Sequence, residues 1–155
     1  MAITTEVKEK FIKFFNEDGW EYIHYEDRPV LEAANENLPL KVTVTYLEPG
    51  FSTFFELPLG IEEETKIETM EYITRVNLDI DFGTFKIDLS EGTIVFASYT
   101  NTTDLKSVPE AFINQAILIP LRIILQFIPG LYEVITGKSN AETAYKKMVE
   151  GEQIP

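Results

Sequence analysis

The stretch that decides the fold is Leu40-Lys41-Val42-Thr43-Val44-Thr45-Tyr46-Leu47-Glu48-Pro49-Gly50-Phe51-Ser52-Thr53-Phe54-Phe55-Glu56-Leu57. Leu40, Val42, Val44 and Tyr46 alternate with polar neighbours, and Phe51, Thr53, Phe55 and Leu57 fall at every second position of the next segment. A period of two places each set on one face of a strand. Between them, Glu48-Pro49-Gly50-Phe51 has proline and glycine where a type II turn takes them. Pairing Glu48 with Phe51 sets Tyr46 against Thr53, Val44 against Phe55 and Val42 against Leu57, so both apolar sets share one face. An antiparallel hairpin with one core face follows, and the fold must supply something to cover it.

Working outward, Val30 to Asn35 reads as a short strand leading into this hairpin, after the turn Glu26-Asp27-Arg28-Pro29. Before that turn, Trp20, Tyr22 and His24 alternate with Glu21, Ile23 and Tyr25 as an extended lead-in. Val7, Phe11, Phe14 and Phe15 recur at helical spacing and predict a first helix ending near Gly19. After Pro58 and Gly60, the acids Glu62 to Glu64 suit a helix N-terminus, and Ile67, Met70, Ile73 and Val76 line one side of a second helix. Phe85 and Ile87 alternate into a second hairpin, with a Ser90 to Thr93 loop pairing Leu89 with Ile94 and Ile87 with Phe96.

Ser107-Val108-Pro109-Glu110 has capping-box spacing and opens a long apolar helix toward Ile128. Pro120 should bend or break it near Ala116, because proline lacks the amide hydrogen and crowds the carbonyl four residues back. Ser139-Asn140-Ala141-Glu142 repeats the capping spacing and starts a terminal helix through Met148. Neither an internal repeat nor a linker divides the chain, so residues 1–155 read as one α+β domain.

Composition narrows the function. Hydrophobic residues at 45% and charged residues at 25% describe a folding globular chain. The formal net charge is -13, all of it in residues 1–104, since residues 105–155 balance five acids against five bases. An acidic surface repels phosphate backbones, so no nucleic-acid partner is expected. The absence of cysteine excludes disulfides and thiolate chemistry and fits a reducing compartment. Met1 to Lys13 carries charges where an export signal needs an apolar run, so a cytoplasmic location is expected. Ala116 to Ile128 is the most apolar stretch, but it is interrupted by Arg122 and Gln126 and reads as a core helix, not a membrane span.

Candidate chemistry is sparse. Asn77, Asp79, Asp81 and Asp88 imitate a calcium loop, yet Phe82 stands where the loop needs glycine and Asp88 where it needs glutamate; they read as solvated acids at a strand entry. His24 is the single histidine, which excludes a two-histidine metal site, and its neighbours mark it as part of a half-buried aromatic packing edge. No phosphate-binding glycine loop occurs. No catalytic residue, cofactor site or metal site is therefore assigned.

Gly83-Thr84-Phe85-Lys86-Ile87-Asp88 through Gly92-Thr93-Ile94-Val95-Phe96, then Pro129-Gly130-Leu131-Tyr132-Glu133-Val134-Ile135-Thr136-Gly137-Lys138-Ser139 and Ala141-Glu142-Thr143-Ala144, are the segments through which the chain resembles the bacterial YbjN-like family. Its members are described as candidate sensory transduction regulators with a type III secretion chaperone-like fold. The resemblance implies a sheet of about five antiparallel strands packed with helices in the order α-β-β-β-α-β-β-α, pairing into a homodimer, with no catalytic residues to carry over.

The resulting expectation is a non-enzymatic protein-binding module, chaperone-like or regulatory. The alternative is a small-molecule-binding or hydrolytic domain with an aromatic pocket near Trp20, Tyr22, His24 and Tyr25. One surface stands out. With Ile94 and Phe96 facing the core, Val95, Ala97 and Tyr99 form an apolar strip on the opposite face, to be covered by a helix of the same chain, by a second copy or by another protein.

Overall fold

The computed structural model describes residues 3–153, with side chains as far as residue 150. Six strands form one antiparallel sheet: β1 (Glu21–His24), β2 (Val30–Asn35), β3 (Leu38–Leu47), β4 (Gly50–Gly60), β5 (Thr84–Asp88) and β6 (Thr93–Asn101). They lie in the order β1-β2-β3-β4-β6-β5. Four helices accompany them: α1 (Ile3–Glu17), α2 (Lys66–Leu78), preceded by a 3-10 turn at Glu63–Thr65, α3 (Glu110–Ile135) and α4 (Ala141–Gln153). The α+β class and element order match the sequence expectation, with one strand more. Residues 21–24 are not a lead-in but an edge strand, pairing Tyr22 with Ala33 and His24 with Leu31.

In both hairpins each residue pairs with a partner two positions earlier than expected. In the first, Leu47 pairs with Gly50, Tyr46 with Phe51, Val44 with Thr53 and Val42 with Phe55. The connection is therefore Glu48-Pro49, joined by a cis peptide bond, in place of a type II turn centred on Pro49-Gly50. In the second, Ile87 pairs with Ile94 and Phe85 with Phe96. Leu89, expected opposite Ile94, lies exposed in the turn. Asp88 sets that register. Its carboxylate accepts the amides of Ser90 and Glu91 at 2.9 and 3.1 Å, and Gly92, at φ 75°, donates to the Asp88 carbonyl at 2.7 Å. A shift of two keeps every side chain on its expected face, because the strand period is two.

One core lies between the sheet and the helices. Leu31, Val42, Val44, Phe51, Phe55, Phe96 and Ile94 line the covered face, against Phe11 and Phe15 of α1 and Ile113, Ile117 and Ile124 of α3. The Phe11 and Phe51 rings meet edge to face at 5.3 Å, an arrangement their quadrupoles favour. Helix α2 turns differently from its expected face. Thr69, Tyr72, Ile73 and Val76 are buried while Ile67 is exposed, because the Tyr72 ring reaches under α3 and its hydroxyl donates to the Phe127 carbonyl at 2.7 Å.

Helix α3 does not break at Pro120, and it also passes Pro129. Pro120 deprives the Ala116 carbonyl of its helical donor. Thr53 on the sheet replaces it, its hydroxyl 3.3 Å from that oxygen and 2.7 Å from Ser98 Oγ. The capping box expected at Ser107 is not formed, since Pro109 occupies the cap position and no side chain caps it. Instead Glu6 accepts the Val108 amide at 2.9 Å and Lys10 donates to the Val108 carbonyl, so α1 clasps the peptide that enters α3. At α4 the cap is Asn140, one residue later than expected, its side chain accepting the Thr143 amide at 2.8 Å.

Candidate functional site

The helices cover one face of the sheet and leave the other open. Across that open face run the rows Ile23-Glu32-Thr43-Phe54-Ala97-Thr84 and Glu21-Ala34-Lys41-Glu56-Val95-Lys86, followed by Val30-Thr45-Ser52-Tyr99. Alternation places these residues outward as surely as it places Phe55 and Phe96 inward. The strip Val95, Ala97 and Tyr99 thus lies where the sequence placed it, and the helix expected as one possible cover is absent from it. With the register shifted, Lys86 neighbours Val95 and Thr84 neighbours Ala97. Tyr99 is 54% exposed, whereas Ala97, small and sunk between its neighbours, is 6% exposed.

Phe54 pairs directly with Ala97 and extends the strip into a patch. It was not singled out from the sequence, although Thr53-Phe54-Phe55 carries the signal. Of two adjacent aromatics on a strand, one must face away from the core. A shallow groove of about 270 Å³ follows the patch, lined by Ser52, Phe54, Thr84, Lys86, Ala97 and Tyr99. Lys86 lines the groove itself, and on the same face Glu32 and Lys41 pair across strands at 3.4 Å. The patch offers apolar contact area with a polar rim.

The aromatic pocket of the alternative reading does not form. Trp20 is buried, its indole N–H donating to Asp18 at 3.0 Å and its ring 5.8 Å from Phe15. Tyr22 stacks on Phe15 at 6.2 Å. Tyr25 lies under the Arg28 guanidinium, 4.1 Å from the ring centre. His24 is exposed at the end of the edge strand, not part of a half-buried packing edge. An open depression of about 310 Å³ beside β1 is lined by Glu21, Tyr22, Ile23, Glu32, Ala33, Ala34 and Lys41, without Trp20 or His24.

The four calcium-like residues have separate structural duties. The Asn77 amide donates to the Phe85 carbonyl at 3.0 Å and accepts the Phe85 amide at 2.8 Å. Asp79 accepts the Tyr145 hydroxyl, a bond that holds the Tyr145 pKa above its ordinary value, with burial adding to it. Asp88 holds the hairpin turn, and Asp81 is exposed. Among the described residues no group of three or more His, Cys, Asp or Glu side chains stands together as a metal site. Every buried side-chain nitrogen or oxygen among them has a hydrogen-bond partner.

A six-stranded antiparallel sheet with helices on one face, entered by α1 and followed by the long α3 and then α4, defines an α+β fold. The particular likeness is to YbjN, a candidate transcription regulator from E. coli. Its crystal structure superposes with a TM-score of 0.54 over 76% of this chain and 88% of that one, at 9% sequence identity. The chain therefore has a YbjN-like fold. No protein-family model and no curated protein matches it by sequence.

Proposed function

We propose that the protein is a non-enzymatic, cytoplasmic protein-binding module, chaperone-like or regulatory, that docks another protein on the open face of its sheet. The observation that carries this reading is the patch of Phe54, Val95, Ala97 and Tyr99 on a face no helix covers. An antiparallel sheet is stable with a polar solvated face, so these apolar side chains gain the monomer little there. Of the two outside occupants, a second copy and another protein, charge favours another protein. The patch lies within residues 1–104, which hold the whole net charge of -13, and a copy across a twofold axis would set like against like. The description of YbjN as a candidate transcription regulator supports a regulatory role at the level of fold resemblance. The acidity argues that such regulation works through proteins and not through a phosphate backbone.

The test is comparative cross-linking. Wild-type protein and a Tyr99→Asp variant are cross-linked in lysate, and the variant's fold is checked by circular dichroism and melting. Tyr99 is already half-exposed, so the variant should fold normally and lose the proteins that the wild type captures. Identical capture by both proteins, or a metabolite that co-purifies stoichiometrically with no captured protein, would overturn the proposal.

A further inference from the structure

The end of helix α3 builds a groove of its own. Gly137, at φ 77°, stops the helix: its amide donates to the Val134 carbonyl at 3.1 Å, and the Lys138 amide donates to the Glu133 carbonyl at 2.8 Å. Those two bonds make the glycine-terminated turn that folds a chain back over its last helical turn. The Lys138 side chain is thereby carried over the Tyr132 ring, its Nζ 5.0 Å from the ring centre. Tyr132, 47% exposed, is one wall of a groove of about 430 Å³. Pro58 and Leu59 of β4, with Ile128 and Pro129 of α3, supply the other apolar walls. That volume falls in the range of roughly 300–1,000 Å³ usual for small-molecule sites. Two of the walls are prolines, whose rings have no rotamer freedom to lose when a ligand arrives. From this geometry we infer that the groove binds a free medium-chain carboxylic acid as its anion, with the hydrocarbon chain along Pro58, Leu59, Ile128 and Pro129 and the carboxylate on the Lys138 ammonium.

The charges at the groove select this ligand. Its two ionic side chains are Glu133 and Lys138. Glu133 is engaged by Lys147 at 3.0 Å, whereas among the described residues Lys138 has no carboxylate within ion-pair distance. The groove therefore presents one uncommitted positive charge beside apolar walls. The negative end of the helix does not cancel it, because the last carbonyls are occupied: Tyr132 accepts the Thr136 amide at 3.0 Å and Ile135 the Thr65 hydroxyl at 2.7 Å, with Val134 and Glu133 bonded as above. A monoanion matches a single ammonium. A phosphate or another multiply charged head would meet a chain of net charge -13 with one lysine to offset it. Residues 105–155, which carry Lys138, sum to zero, so the monoanion approaches the least acidic part of the chain. A neutral alcohol of the same length would bury the same hydrocarbon, but its hydrogen bond lacks the charge on the acceptor that makes such bonds short and strong.

Sodium decanoate, kept below its micelle concentration, is the probe, titrated into isotopically labelled full-length protein and followed by amide NMR, with decanol as the neutral control. Decanoate should shift the amides of Leu59, Tyr132 and Lys138 saturably at one site per chain, and decanol should bind about tenfold more weakly. Lys138→Gln should lower the decanoate affinity about tenfold and leave that of decanol unchanged, while Lys138→Arg keeps the wild-type affinity. Lys138 is exposed, so both variants should retain the circular dichroism and melting of the wild type. The inference is overturned if no saturable shift occurs at these amides, or if decanol matches decanoate. It is equally overturned if Lys138→Gln binds decanoate as the wild type does, or if the strongest shifts fall on Phe54 and Tyr99 of the sheet patch. Loss of protein capture by Tyr99→Asp tests the sheet patch separately, so the two readings can fail independently.

Discussion

Gly130 is where a single atom decides packing between three helices. A Cβ built there would lie 2.5 Å from the Tyr72 hydroxyl and 2.7 Å from Met148 Cγ. Helix propensity alone favours alanine over glycine by about 1 kcal/mol in a helix interior. Close approach reverses the sign. We expect Gly130→Ala to destabilise the protein by roughly 1–3 kcal/mol, as overpacking of a dense core does. Urea unfolding measures it, and a stabilised variant would show that Tyr72 yields its place. The Tyr72 hydroxyl belongs to the same joint. Burial pushes its pKa well up, with the nearby Glu133 carboxylate adding to the effect, so it stays protonated and able to donate to Phe127. In the sequence, Gly130 appears only within the 129–139 segment of the family resemblance. Nothing local indicates that a tyrosine 58 positions earlier needs the space.

At the scale of elements, a side chain closes the β5 edge of the sheet. Strand β5 has its outward amide and carbonyl at Phe85 taken by the Asn77 side chain from the end of α2. An unpaired strand edge is a template for another strand, and here the amide of Asn77 imitates one. Asn77→Ala should release both groups. The Phe85 amide should then exchange with deuterium faster, and the variant should aggregate sooner on mild heating, with a stability loss of about 1–2 kcal/mol. Unchanged exchange at Phe85 would mean that another group shields the edge. Asn77 is legible in the sequence only as an oxygen ligand among acids. Its actual partner is backbone, and backbone carries no mark in a sequence.

At the scale of the whole molecule, the first helix and the start of the long one, about a hundred residues apart in the chain, are joined by the clasp of Glu6 and Lys10 on Val108. The Val108 amide, then the Lys10 hydrogen bond and charge, hold the Glu6 carboxyl below its ordinary value of 4.5, against an opposing effect of burial. A carboxylate with a depressed folded pKa contributes stability that is present above the unfolded value and lost as pH falls through the folded one. Glu6→Gln should therefore cost stability at pH 7, and the deficit should shrink when both proteins are unfolded at about pH 3.5. Urea denaturation at the two pH values checks it. An equal deficit at both would assign the loss to packing and not to charge.

The sequence by itself determined the class, because the signals for it are local. Period-two alternation in Leu40–Tyr46 and Phe51–Leu57 and helical spacing in Val7–Phe15 need only neighbours to be read. The outward strip of Val95, Ala97 and Tyr99 was legible for the same reason, since parity survives the two-residue slip of both hairpins. What only the tertiary structure decided depends on partners far apart in the chain. The hairpin registers, the face of α2 chosen by Tyr72, the repair of Pro120 by Thr53 and the exposure of Leu118, Leu125 and Tyr132 all belong here. Each turns on which surface another element already occupies. An apolar residue in a helix reads the same whether it faces a sheet or water, and only packing separates the two.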